Sequence, residues 1–181
     1  MTKFSPCLPV TIPVHLCEIA KEGLATYPIC CTPTTCRIHF KGRGRWNRHG
    51  VYGCLYTAFT PRGAKAEYDR YLQYEAASGL GIKARDLVSI QVDLEPVAGL
   101  TNRDSSPISP DEPFLTGDDP VDLEACRALA DSLRKDGFVA IVAPSAALAG
   151  EKNLVIYIDG LAGNIKLDAG GDRYPLVYRR D

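Results

Sequence analysis

Residues 138–158 read FVAIVAPSAALAGEKNLVIYI. Two continuous apolar runs of strand length, 138–143 and 154–158, flank a short connection that begins with Pro144 and Ser145. A strand with one wet face alternates apolar and polar side chains, so runs that are apolar throughout belong to strands covered on both faces. The sheet core is therefore expected here. Outward from it, residues 87–94 alternate, with Val88, Ile90, Val92 and Leu94 opposite Ser89, Gln91 and Asp93, as a half-exposed strand should. Further strands are expected at 36–40 and 52–59, and at a sheet edge over 174–178.

Two helices fit between these strands. Thr60 supplies an N-cap hydroxyl before Pro61 at the first helical position, and the helix formers that follow run to a stop at Gly79. Asp119-Pro120 opens a second helix with a buried stripe of Cys126, Leu129, Ala130 and Leu133. Arg134 and Lys135 close it before Gly137, with the charge signs that the helix dipole prefers. Residues 1–35 are rich in proline, hold one short helical candidate over 14–22, and read as a peripheral arm packed on the domain formed by 36–181. The stretch 102–118, dense in Ser, Pro and Asp, is long enough to be a functional loop and is a candidate cover for a pocket.

Composition removes several classes of function. The chain has 181 residues, enough for one self-supporting core. Its 22 acidic and 21 basic side chains nearly cancel, without any long Lys/Arg run, which argues against nucleic acid as a partner. Nothing approaches the roughly 18 consecutive apolar residues of a membrane helix, and the prolines near the start break any signal-peptide core, so no membrane association and a cytoplasmic location are expected. Seven cysteines at irregular spacing suggest reduced, packed thiols. The cluster Cys30, Cys31, Cys36 with His39 lacks zinc-ligand spacing, and no metal site is expected. His15, His39 and His49 are scattered, without a partner placed beside any of them.

Chemistry is suggested at four places. In GRGRWNRHG (42–50), glycines let the backbone approach a ligand and Arg45 offers a planar fork for phosphate oxygens, although such turns also serve as solvated hairpin ends. Glu67 falls on the first helix on a face shared with Ala64, Tyr71 and Tyr74. A carboxylate there must reach solvent or meet a partner, and pairing with Arg70 on the surface is the plain alternative. Ser145, directly after a buried strand, is placed either to touch a ligand or to cap a helical turn. Without a Gly-x-Ser-x-Gly elbow, a serine hydrolase is a poor fit.

Taken in order, GRWNRHG, CLYTA and GAKAEY, then VDLEPVAGLTN, and GFVAIVAPSAALAGEKNLVIY with Ser145 and Asn153, resemble the RES domain, a family named after an arginine, a glutamate and a serine. Arg45, Tyr56 and Glu67 take the family's positions, eleven residues apart each time, and Gly99 departs from it where an aspartate is common. The resemblance is best over 36–158. It implies an α+β single domain in which a curved mixed β-sheet, ADP-ribosyltransferase-like and split around an NAD cleft, carries flanking helices. It further implies a toxin that degrades NAD⁺ by hydrolysis or phosphorolysis, with NAD⁺ as substrate, inorganic phosphate as a candidate co-substrate and no cofactor.

By the same resemblance, Glu67 stabilises the cation formed at the ribose, Arg45 holds the pyrophosphate or an attacking anion, and Ser145 bonds near the reacting sugar. Tyr56 packs on nicotinamide, and Arg37 and Asn153 are further substrate contacts, with Arg37 competing with Arg45 for the key role. An antitoxin or immunity protein, a homodimer and delivery into another cell are left open by the sequence. Two alternatives stand beside this reading: transfer of ADP-ribose to a protein, against which Lys65 stands where arginine-directed transferases carry a second glutamate, and a nucleotide-binding relative without catalysis.

Overall fold

A computed structural model describes residues 6–7, 10–19, 44–77, 85–104, 106–157 and 173–176. The strands are β1 (Pro6–Cys7), β2 (Val10–Ile19), β3 (Cys54–Ala58), β4 (Arg85–Leu94), β5 (Val97–Gly99), β6 (Ala140–Pro144), β7 (Lys152–Tyr157) and β8 (Arg173–Leu176). The helices are α1 (Pro61–Ala77) and α2 (Pro120–Lys135), with one 3-10 turn at Pro113–Leu115. The strands form one sheet in the order β1-β5-β6-β7-β3-β2-β4-β8. The β5–β6 pair is parallel and the others are antiparallel, so this is a mixed α+β domain.

Parallel neighbours need a crossover, and the stretch holding α2 provides it between β5 and β6. The two apolar runs become β6 and β7, interior strands whose residues 140–143 and 154–157 are all buried. The edge strand expected near the C-terminus is β8.

The sheet is split. β2 pairs with β4 from Val10↔Leu94 to Ile19↔Arg85, and β3 pairs with β7 along its whole length, but β2 and β3 meet at His15↔Ala58 alone among the described residues. One block is therefore β1-β5-β6-β7-β3 and the other β2-β4-β8. Helix α1 lies against β2, β3 and β4, across the junction of the two blocks.

Here the sequence expectation needs correction. The helical candidate over 14–22 is instead, as far as Ile19, the second half of β2, and the described part of the proline-rich arm is built into the sheet. The residues from Val10 to Ile19 contain Pro13, yet alternation with β4 and the gain of a full ladder outweigh the local signals. The strand expected at 36–40 lies outside the described residues.

The main core joins one face of the first block to α2 and to the loop before it, with Trp46, Tyr52, Leu100, Leu115, Leu133 and Tyr157 among its members. Leu115 is fully buried, and Ile108 and Phe114 from the same loop pack against the core. A buried leucine contributes about 2 kcal/mol, so the 102–118 loop is anchored rather than loose. At the end of α2, the Phe138 N–H donates to Leu133 O and the Gly137 N–H to Arg134 O, with Gly137 at φ 92°. This double bond pattern stops the helix where Gly137 was expected to end it. Among the described residues no helix is long and apolar enough to cross a membrane.

Candidate active site

Glu67 sits on the flank of α1, beside the buried stripe Ala64, Tyr68 and Leu72. The face expected from spacing is therefore half right: Ala64 is buried, but Tyr71 is exposed. Thr60 sets the start of this helix by accepting the Gly63 N–H at 2.9 Å, and its hydroxyl donates to Glu151 Oε2 at 2.7 Å. The helix is thereby tied to the segment just before β7. An acidic group at that end suits the helix dipole.

Glu67 does not pair with Arg70. Its Oε1 accepts hydrogen bonds from Ser145 Oγ at 2.7 Å and Asn153 Nδ2 at 2.6 Å, while Oε2 takes part in neither. The chain thus brings together the ends of β6 and β7 with one helix flank, across 78 and 86 residues of sequence.

Strand register explains how. Ala143 pairs with Asn153, which pairs with Ala58 on its other side. Both cross-strand partners of Asn153 are thus alanines, whose small side chains crowd its amide least. Tyr56, two residues before Ala58, lies on the same face, roughly 7–8 Å from Asn153 across the diagonal of the β3–β7 ladder.

Ser145 serves both of the roles weighed for it. Its Oγ accepts from the Ala147 N–H at 3.1 Å and the Leu148 N–H at 3.2 Å, capping the turn after β6, and donates its own proton to Glu67. A hydroxyl has one donor and two acceptor sites, so all are in use. Asn153 Oδ1 is a buried acceptor without a partner. Turning the amide over would set that oxygen against the carboxylate, so Glu67 fixes its orientation.

Tyr56 donates its hydroxyl proton to Asn47 Oδ1 and accepts from the Trp46 N–H, both at 2.9 Å. The hydroxyl end is enclosed, and burial pushes the phenol well above its ordinary range, whereas 39% of the residue stays exposed and presents the ring. Gly44 permits this approach, because a Cβ there would overlap the Tyr56 hydroxyl.

The Gly-Arg turn is docked, not a solvated hairpin end. Arg127, itself buried on α2, donates to Gly44 O at 3.0 Å, and Arg48 bonds Asp131 and Glu124 on the same helix, each at 2.6 Å. Arg45 turns inward to the loop before α2. It donates to Gly117 O, to Phe114 O at 3.4 Å, to Thr116 O at 3.3 Å and to Asp118 Oδ1 at 2.9 Å. Its fork is engaged with the loop, and it does not touch Glu67.

The link between them is Arg70, weighed from sequence only as a surface partner of Glu67, and Asp118, which sequence reasoning did not single out. Arg70, one turn beyond Glu67, donates to both oxygens of Asp118 and to Ala146 O, next to Ser145. Arg45, Asp118, Arg70 and the Ser145 turn thus form one continuous chain of contacts. The i+3 position of Arg70 relative to Glu67 was the available signal, and it had been read as a surface ion pair.

Arg37 and the Cys30–Cys36 cluster lie outside the described residues. His49 is exposed in the turn. Among the described residues no group of three His, Cys, Asp or Glu side chains is arranged to hold a metal. Burial raises the pKa of the Cys126 thiol, which donates to Phe114 O, consistent with a packed thiol.

Known proteins resemble this chain in sequence and in fold. A Mycobacterium tuberculosis protein named probable NAD⁺ phosphorylase Rv3189 is 28% identical over 154 residues, covering 85% of this chain and 70% of that protein. The crystal structure of the M. tuberculosis MbcT–MbcA toxin–antitoxin complex contains a chain of the same fold, with a TM-score of 0.62 at 16% identity, over 93% of this chain and 85% of that one. The RES domain profile matches residues 25–177. With that match spanning most of the sequence, the chain belongs to the RES domain family.

Proposed function

We propose that this protein degrades NAD⁺ by cleaving the bond between nicotinamide and ribose. The observation that carries the reading is the Glu67 carboxylate, fixed through Oε1 by Ser145 and Asn153. Support comes also from membership of the RES family and from the likeness to a protein named as a probable NAD⁺ phosphorylase.

The chemistry asks for a fixed negative charge. When the C–N bond breaks, its electron pair leaves with neutral nicotinamide and the ribose becomes an oxocarbenium-like cation. A carboxylate held beforehand in the right place stabilises that charge without reorganising at the moment of reaction. Glu67 Oε2 faces the sugar in this reading, either against the cation or on its hydroxyls. The exposed ring of Tyr56 packs on nicotinamide. The cation is then captured by an oxygen of inorganic phosphate, giving ADP-ribose 1″-phosphate, or by water, which loses a proton and gives ADP-ribose. Phosphorolysis is the favoured branch because of the named relative. Arg45 acts on the substrate through the loop it holds, and no cofactor is required.

Loss of NAD⁺ makes such an enzyme a toxin to the cell that contains it, and an antitoxin or immunity protein is its expected partner. The solved structure of similar fold comes from a toxin–antitoxin complex. Transfer of ADP-ribose to protein is disfavoured, since Lys65 is exposed and pairs with Asp69 instead of adding a second carboxylate beside Glu67. Incubation of the purified protein with NAD⁺ labelled in the adenosine tests the proposal. ADP-ribose or its 1″-phosphate in solution is expected, and label retained on protein, or intact NAD⁺, would overturn it.

A further inference from the structure

Glu151 stands where the connection after β6 meets the start of α1. Its backbone closes the turn that carries Ser145: the Leu148 N–H donates to Ser145 Oγ, the Glu151 N–H to Leu148 O, and the Ser145 N–H to Glu151 O. Gly150, at φ 84°, supplies a positive φ at the third position of the Leu148–Glu151 turn, where glycine is favoured. The side chain of Glu151 leaves this circuit and accepts the Thr60 hydroxyl proton at 2.7 Å, at the N-cap of α1. Gly63 makes room for the contact, since a Cβ there would come within 3.3 Å of both Glu151 Oε2 and Thr60 Oγ1. Helix α1 packs chiefly on β2, β3 and β4, so its hold on the β6–β7 connection is made by polar side chains. Glu67 meets Ser145 and Asn153; the Thr60–Glu151 bond precedes it on the helix, and Arg70 reaches Ala146 O one turn beyond it. The carboxylate is therefore bracketed by an attachment on either side.

We propose that Glu151 is a positioning residue for the reaction: by holding the Thr60 cap against the turn that carries Ser145, it sets where the Glu67 carboxylate stands relative to Ser145 and Asn153. The distance over which it acts is short, since Thr60 and Glu67 are two turns apart, roughly 10 Å along the helix axis. Without the Glu151 bond the first turns of α1 are free to shift, and only Arg70 and the Glu67 contacts themselves resist. A displacement of about 1 Å at a reacting group costs on the order of 100-fold in rate, so a partial shift carried along α1 is expected to cost about tenfold. The part is played by the acceptor oxygen of Glu151 and not by its charge. This inference deepens the NAD⁺ reading, on which the role of Glu67 rests, whereas the way its carboxylate is held rests on the contacts alone.

A comparison of two neutral replacements tests it. NAD⁺ cleavage is measured for wild type, Glu151→Ala and Glu151→Gln at equal folded concentration, and the carboxyl carbon resonance of Glu67, assigned by its loss in Glu67→Gln, is recorded for each. Both replacements remove the negative charge from the end of α1, but only glutamine keeps an oxygen to accept the Thr60 proton, so the contact is separated from the helix dipole. Glu151→Ala is expected to lower kcat about tenfold with KM changed less than about twofold, and to move the Glu67 resonance. Glu151→Gln is expected to recover kcat to within about twofold and to return the resonance toward its wild-type position. In a Glu67→Gln background, Glu151→Ala is expected to change kcat by no more than about twofold, because a residue acting through Glu67 has nothing left to position. Unchanged kcat in Glu151→Ala, equal losses in the two replacements, a loss confined to KM, or the full loss repeated in the Glu67→Gln background overturns the proposal. If Glu151→Ala does not fold, Thr60→Ala and Thr60→Ser make the same comparison from the other end of the bond. A wild type that leaves NAD⁺ intact sinks the function proposed above, and the resonance then decides alone: moved in Glu151→Ala and recovered in Glu151→Gln keeps the positioning role, and unmoved in both overturns it. NAD⁺ cleavage by the wild type with kcat indifferent to Glu151→Ala keeps the function and removes the positioning role.

Discussion

Glu67 is restrained through one oxygen and by two donors of different kinds, and Ser145 is the more informative of the two. Its hydroxyl joins the carboxylate to the cap of the turn after β6, so one atom carries a stability role and a positioning role together. Ser145→Ala is expected to cost about 1 kcal/mol through the lost cap and to lower kcat on the order of 100-fold, because a small displacement of a reacting group has effects of that size. Parallel denaturant and turnover measurements separate the two, and an unchanged kcat would leave Ser145 a cap only. Gly44 makes a second residue-scale point. Its missing Cβ is what lets the Tyr56 hydroxyl close on Trp46 and Asn47, so Gly44→Ala is expected to destabilise by about 1–3 kcal/mol. Tyr56→Phe in the same chain should recover part of that loss, since it removes the overlapped oxygen. A double-mutant cycle reads the coupling, and strict additivity would contradict the contact.

At the scale of elements, the two helices and the two central strands were legible because their signals are local. Proline at the first helical position, the basic last turn and Gly137 bracket α2, and the structure starts the helix at Pro120 and ends it at Lys135. Gly137→Ala is expected to cost about 1–2 kcal/mol, since φ of 92° strains any side chain, and a denaturant midpoint equal to wild type would argue against the terminating turn described. What escaped was set by partners distant in sequence. β2 reads locally as a proline-punctuated arm with a helical end, and only its ladder with β4 makes it a strand. The candidate site divides in the same way. Glu67, Ser145 and Asn153 could be singled out by position and family likeness, but their sharing of one oxygen depends on Ala58 and Ala143 flanking Asn153 in the register. The meeting of Arg70 with Asp118 was not foreseen, because a surface arginine and an aspartate in a polar loop look alike whether or not they meet.

For the molecule as a whole, the junction of α2 with the sheet predicts how stability ends in alkali. Tyr52 and Tyr157 are fully buried, stacked edge to face at 5.8 Å, with Arg134 over the Tyr52 ring at 4.0 Å. Burial is the main cause lifting both phenols well above their ordinary value of 10.0, and for Tyr52 the hydrogen bond to Asp131 adds to it. A folded-state pKa above the unfolded one means that the native protein holds these protons longer, so stability is full below about pH 10 and falls above it. With two such groups the slope approaches about 2.7 kcal/mol per pH unit. Urea midpoints are expected to change little from pH 8 to 9 on this account and drop steeply beyond 10, with tyrosinate absorbance appearing together with unfolding; tyrosinate signal from these two rings in a still folded protein would contradict the burial. The catalytic claim has an equally direct trial, the release of nicotinamide from NAD⁺ by wild type and by Glu67→Gln, with inorganic phosphate present. Nicotinamide is expected from the wild type and on the order of 100- to 1,000-fold less from the variant at equal folded concentration. Equal rates from the two proteins would contradict the assignment of the carboxylate on which the account turns.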